Sequence, residues 1–507
     1  AQEGAITAAA AQEAEKKLAP LSGDAKRFQM ICVAHAHIDM NWLWNTAETR
    51  DVVRRDFKTV CDIMDEEPDF TFSQSQAAAY AMCEADDTAL FGRVREKIRA
   101  GRWEVTAAAW VEHDANLPDG DSSARQILCA KQYTREKLGA QSDVMWAPDT
   151  FGHSANLPGL LRAGGCENYF FSRCGLTAVP DHESETGKAS DLPVFWWEGL
   201  DGSRVLAANL AYGGSFRPRA ALQNALAAAA LGLCDSLFVY GVGDHGGAPT
   251  RRDIRWAKHA AASPLFPDAI FSTAGAYFRR VRESGVSLPV RKGEMNAIFE
   301  ACYTTHADIK RAVRKLCRQL YDAEAIAALT GGPFPRGRAA DCWKALLFHQ
   351  FHDIFDGCAI ASTYQEAAAG LAAASSGAHA LLTETAQPSG TDENLFTVIN
   401  TLPARRNALV CLPGAAGVSD EQGTALPCQQ ESGGVCARVS VPPFSAAVLR
   451  LTDTPAPAGP GWAEAHEEIY VFDNDYYHVD LSRRSGEILT YYDKTAKRYI
   501  CQNGVRG

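Results

Sequence analysis

"FQMICVAHAHIDMNWLW", residues 28–44, opens on an apolar run and closes on three side chains able to hold a metal. The run from Met30 to Ala34 has no polar residue on either alternating face, so it reads as a strand buried on both sides. Such strands belong to parallel sheets or barrels whose faces are covered by helices. His35, His37 and Asp39 follow at every second position, which puts them on one side of the chain at the strand's carboxyl end. Ligands of α/β folds bind at that end. Imidazole and carboxylate together suit Zn²⁺ or a similar divalent ion. The plainer reading of an isolated HxD is a hydrogen-bonded core histidine beside a helix N-cap aspartate.

Outward from this stretch, short β-type runs alternate with longer helical patterns. The runs include "FTFSQ", "WEVTAAAWVE", "DVMWAP", "NYFFSR", "RVLAANL", "LFVYGV" and "AIFST". The alternation implies βαβ units, and residues 28–288 are expected to form a parallel α/β barrel, the catalytic domain. Residues 1–27, rich in Ala and Glu, are expected to be a helical or flexible N-terminal segment. Residues 289–388 turn to helices alone. Ile309, Val313, Leu316 and Leu320 form an amphipathic stripe, and "KALLFHQFHDIF" and the Ala-rich run from Thr363 to Thr385 supply two more helices. A three-helix bundle is expected there, followed by a linker at "QPSGTDEN". Residues 395–507 are β-rich and punctuated by Gly and Pro, as in a β-sandwich. A sandwich ending at Gly507 leaves an unpaired edge, so it is expected to be incomplete.

The bulk properties narrow the function. With 507 residues, 46% hydrophobic and 22% charged, the chain is a multidomain globular protein. Its net charge of −11, with no basic run, excludes nucleic acid and anionic membranes as expected partners. No stretch approaches the roughly 18 apolar residues of a membrane span. The N-terminal segment lacks the pattern of a signal peptide. The 15 cysteines include no CxxC pair and read as reduced thiols, so a cytoplasmic location is expected. Homo-oligomer formation stays open.

Other strand ends carry chemistry as well. Asp149 follows "DVMW", and Arg173 follows "NYFFS". "GVGDHGGAPT" after "LFVY" holds Asp244 and His245, with glycines that let backbone approach a ligand. Thr250 and Asp253 there resemble a capping box. Each signal alone has an ordinary explanation: a turn aspartate, a surface ion pair, a Gly-rich turn. Together they set three aspartates, two histidines and an arginine at one end of successive strands.

"HAHIDMNWLW", "MWAPDTFGHSANLP", "YGVGDHGGAPT", "CYTTHADIKR" and "FHQFHDIFDG" resemble the glycoside hydrolase family 38 α-mannosidases, their bacterial and cytosolic branch in particular. The resemblance implies a metal-dependent retaining α-mannosidase that removes terminal mannosyl residues from oligosaccharides through a covalent intermediate. It implies that His37 and Asp39 bind Zn²⁺, or another divalent metal such as Co²⁺. It implies that Asp149 is both nucleophile and ligand, that Trp42 supports the sugar, and that Arg173 matches the family's arginine. Relatives carry a further histidine before the "YTT" segment, which "NAIFEACYTT" lacks. The fourth ligand is therefore expected to be His245, with His306 as the alternative. Asp244 is expected to be the acid/base, because a proton donor needs a raised pKa and a metal ligand is poorly suited to that. Glu112 and Asp114 in "WVEHDANLP" are expected either to bind sugar hydroxyls or to serve structure. His352 and Asp353 are expected to support the pocket from the bundle. Two rival functions are a zinc-dependent carbohydrate deacetylase-type hydrolase and a sugar-binding relative that has lost catalysis.

Overall fold

The computed structural model describes residues 8–173, 192–296, 299–332, 334–386, 392–455 and 463–505. It contains two compact units, residues 1–323 with 334–383, and residues 324–333 with 384–507.

In the first unit, strand β1 (Gln29–Ala34) is central. It pairs in parallel with β8 (Asp235–Tyr240) on one side and β9 (Asp268–Phe271) on the other. Its apolar character follows from its place: Met30, Cys32 and Ala34 enter one core while Ile31 and Val33 enter another. A polar residue at any of these positions would sit buried without a partner. A parallel pair joins β2 (Phe72–Gln74) and β3 (Trp103–Val105). A five-stranded sheet has the order β10-β6-β7-β5-β4, from β4 (Val144–Trp146), β5 (Asn168–Phe171), β6 (Val194–Glu198), β7 (Arg204–Asn209) and β10 (Val290–Lys292). All eight β-type runs form strands. The structure adds β6 and β10, and β6 runs antiparallel to β7 because a five-residue turn joins them, closed by Gly199 N donating to Ser203 O at 2.9 Å. Among the described residues the strands thus bond as three mostly parallel sets.

Helices cover these strands. Helix Thr46–Glu66 starts at Asn45, whose side chain accepts from Glu48 N at 3.2 Å, and buries Val52, Val53, Phe57, Val60 and Met64. Thr250 and Asp253 form the expected capping box at helix Arg251–Ala262. The helical segment comprises Ala307–Thr330, Arg336–Phe348, the short His352–Asp356 and Ala361–Ala386. Val313, Trp343, Leu346 and Leu347 share one continuous core with Met30, Phe57 and Trp103. The α/β part and most of the helical part are therefore one packed body. At the N-terminus the described residues form helix Ala8–Leu18 and a short turn of helix at Ser22–Ala25. No helix among the described residues is long and apolar enough to cross a membrane.

The second unit is antiparallel. One three-stranded sheet is Leu395–Asn400, Ser445–Thr452 and Gly417–Asp420; another is Arg406–Pro413, Gly434–Val441 and Cys428–Glu431. Val418 and Leu449 from the first share a core with Leu412, Val435 and Val439 from the second. A five-stranded meander covers Ala463–Val505. Register places Cys411 opposite Cys436, and the two form a disulfide, which corrects the expectation of reduced thiols throughout. No spacing motif announces this pair, since the strand register alone brings it together. Most of the expected linker lies outside the described residues.

Candidate metal centre and active site

Four buried side chains converge at the carboxyl ends of the strands: His37, Asp39, Asp149 and His352, each offering a ligand atom within 4.8 Å of the others. His37 Nε2 is 2.9 Å from Asp39 Oδ1 and 3.7 Å from Asp149 Oδ2. His352 Nε2 is 3.4 Å from the same Asp39 oxygen and 3.6 Å from the same Asp149 oxygen.

Each is positioned by its element. His37 and Asp39 extend from β1, and Asp39 N donates to Asp244 O at 3.0 Å. Asp149 sits in the turn after β4. Glu112 Oε1 accepts from the backbone of Asp149 at 2.6 Å and Thr150 at 3.0 Å, while its Oε2 lies 3.4 Å from His37 Nδ1. One buried carboxylate thus fixes the Asp149 turn and sets a negative charge beside an imidazole. His352 opens a short helix held against the strand ends by His352 N donating to Glu112 O at 3.2 Å and Asp114 N donating to Gln350 O at 3.0 Å. His352 Nδ1 is 2.9 Å from Glu112 O. A carbonyl only accepts, so Nδ1 carries the proton and the Nε2 lone pair of a neutral ring faces the two carboxylates.

That arrangement calls for positive charge. His37 Nε2, Asp39 Oδ1 and His352 Nε2 are buried with no hydrogen-bond partner among the described residues. Burial opposes protonation of His37, but Asp39 and Glu112 outweigh it and raise its pKa well above the usual value. Burial likewise opposes ionisation of Asp149, yet the neighbouring His352 and His37 rings and the charge of Arg173 hold it well below the usual carboxylate range. A pocket that draws protons this strongly fits a divalent cation, and two imidazoles with two carboxylates form a four-ligand set suited to Zn²⁺.

The geometry does not bring His245, the expected fourth ligand, to this cluster. His245 lies on the surface, its Nε2 2.6 Å from Glu48 Oε1 and its ring 4.5 Å from Trp44. The positive φ of Asp244 (64°) and Gly246 (74°) turns the loop so that His245 faces helix Thr46–Glu66, where Arg55 donates to its carbonyl at 3.1 Å. His306 is also elsewhere, stacked 3.6 Å from Tyr364. His352, read from sequence as a support, takes the place beside the carboxylates. "FHDIFDG" was the available signal; its position on a helix far along the chain disguised it. Glu112 and Asp114 are both buried and turned to structure: Asp114 Oδ1 accepts from Asn116 N at 2.8 Å and Leu117 N at 2.7 Å. These backbone contacts support the structural of the two readings. His35, also buried, donates from Nδ1 to Ser73 O at 2.8 Å, and burial lowers its pKa to about 3.

Trp42, Arg173 and Asp244 all line a cavity of about 250 Å³ with Asp39, Asp149 and Phe151. Arg173 Nε donates to Asp149 Oδ1, the oxygen turned away from the imidazoles. Asp244 is exposed at the cavity's edge; partial burial, together with the charges of Asp39 and Asp149, raises its pKa despite His37. Tyr212, unmarked by any motif, packs edge-on 5.0 Å from the His37 ring.

Residues 27–299 match the model of the glycosyl hydrolases family 38 N-terminal domain, and residues 297–388 match the alpha mannosidase middle domain. The chain belongs to glycosyl hydrolase family 38. It is 29% identical to human alpha-mannosidase 2C1 over 78% of this chain and 38% of that protein. It is 30% identical to alpha-mannosidase G of Dictyostelium discoideum over 66% of this chain and 31% of that protein. The chain thus spans about a third of the length of these relatives. The crystal structure of an alpha-mannosidase from Enterococcus faecalis V583 superposes with a TM-score of 0.75 at 20% identity, covering 93% of this chain and 61% of that one.

Proposed function

We propose that the protein is a metal-dependent retaining α-mannosidase acting on terminal α-mannosyl residues of oligosaccharides. The observation that carries this reading is the placement of Asp149: one oxygen faces two imidazoles and the other is held by Arg173, so the group is charged, fixed and open to a 250 Å³ cavity.

A divalent ion held by His37, Asp39, Asp149 and His352 supplies an electrophile for sugar hydroxyls and keeps the nucleophile ionised. The chain's own groups perform the displacement. Asp149 attacks the anomeric carbon as the glycosidic oxygen takes the Asp244 proton and leaves. Asp244, now a base, takes a proton from water, and that water breaks the sugar–Asp149 ester with net retention. Trp42 covers an apolar face of the ring. Arg173 holds the attacking carboxylate in place and excludes its protonation. Glu112 keeps His37 and the Asp149 turn in register.

The test is hydrolysis of an aryl α-mannoside by wild type and Asp149→Ala, each with and without a chelator. Wild type turns over and loses activity on chelation, with recovery on adding Zn²⁺ or Co²⁺. Asp149→Ala is inactive, about 10⁴-fold or more down. Chelator-resistant activity, or an active Asp149→Ala, overturns the reading.

A further inference from the structure

A second cavity, about 790 Å³, adjoins the first. Among the described residues the two share Arg173 and Asp244 alone. The smaller holds Asp39, Asp149 and Trp42; the larger continues beyond Asp244 and is walled by Arg217, Arg219 and Gln223. The segment that carries these arginines is bonded to the loop that carries Asp244. Gly241 N donates to Gly214 O at 2.9 Å, and Phe216 N donates to Asp253 Oδ1 at 2.9 Å. The Arg217 guanidinium lies back over Gly214, toward the cavity. Among the described residues neither Arg217 nor Arg219 has a carboxylate partner. In a chain of net charge −11, two unpaired guanidiniums on one cavity wall mark a place where an anion is attracted.

We infer that this cavity receives the substrate's leaving group and selects one that bears an oxyanion, a carboxylate or a phosphate, held by Arg217 and Arg219. The inference rests on the α-mannosidase reading, in which Asp244 protonates the glycosidic oxygen and therefore stands between sugar and leaving group. A guanidinium presents paired N–H donors that match carboxylate and phosphate oxygens. Both arginines are exposed, so solvent screens the contact and the preference falls with salt.

The full chain is assayed with three α-mannosides whose phenyl leaving groups carry a 4-carbamoyl, a 4-carboxylate or a 4-phosphate group. Wild type is expected to favour at least one anionic substrate over the carbamoyl one by about tenfold in kcat/KM, and the better of the two names the oxyanion. The double variant Arg217→Gln/Arg219→Gln is expected to lose that preference while cleaving the carbamoyl substrate at the wild-type rate, which also reports that it folds. Comparing ratios between wild type and variant cancels the intrinsic reactivity of the leaving groups. A ratio unchanged in the variant, with the carbamoyl substrate still cleaved, overturns this inference alone. A wild type that cleaves none of the three overturns the α-mannosidase reading and this one with it.

Discussion

At the scale of single residues, the site turns on which histidine completes it. His352 is buried, and its Nε2 faces Asp39 and Asp149; His245 is on the surface beside Glu48. His352→Ala is therefore expected to abolish stoichiometric binding of a divalent ion and lower kcat/KM by about 10²-fold or more, while His245→Ala keeps both within a few-fold. Metal analysis after dialysis checks this, and loss of metal in His245→Ala with retention in His352→Ala would reverse the assignment. The contrast shows why three members of this cluster are legible in the sequence and His352 is not. His37 and Asp39 share one strand end, where alternation makes their common direction readable, and Asp149 ends another strand of the same kind. His352 arrives from a helix some two hundred residues further on, and only tertiary packing brings it there.

The element that presents Asp244 is the loop from Gly241 to Gly247, and it is built on close approaches. A Cβ at Gly241 would collide with the His35 carbonyl, and one at Gly246 with Asp56 and Val52, so both positions demand glycine. Asp56, on helix Thr46–Glu66, accepts from Gly247 N at 2.8 Å. Burial raises its pKa from 3.8 to about 6. The unfolded chain releases this proton first, so stability falls as pH rises from about 4 to about 6 and stays lowered above that. The two-unit shift corresponds to about 3 kcal/mol. Asp56→Asn keeps the acceptor and removes the charge, so its stability relative to wild type is expected to climb across that window. Denaturant unfolding at pH 4 and pH 7 measures it; an identical pH dependence in both proteins contradicts the account of Asp56. The Gly-rich text pointed to a ligand-approaching turn, but not to which of Asp244 and His245 faces inward. That choice is made by the left-handed backbone at Asp244, which a sequence does not display.

Across the whole molecule, the helical segment is part of the active site's scaffold, since Leu346 and Leu347 lie in the same core as the strand Gln29–Ala34. Leu346→Ala, at a fully buried position, is expected to cost about 2–5 kcal/mol of stability and also to weaken metal binding, because His352 follows on that segment. Chemical denaturation and metal titration on the same preparation test the pair of effects; a loss of stability with unchanged metal affinity would separate the helices from the site. The order of α/β, helical and β-rich stretches was legible because their hydrophobic periods differ. The boundary near residue 288 was not, since β10 continues the sheet past it and the two regions then merge into one core. The apolar run "VFWWE" forms β6, whose antiparallel direction is set by the turn from Gly199 to Ser203 and not by its composition. The central claim, that Asp149 is held charged at a metal centre to attack the sugar, is tested most directly by mass spectrometry of the protein treated with an activated fluorinated α-mannoside that forms a slowly hydrolysed ester. The account predicts one fluoromannosyl group per chain, on the peptide containing Asp149, formed only in the metal-loaded protein. Turnover with no adduct, or an adduct on another carboxylate, would contradict it.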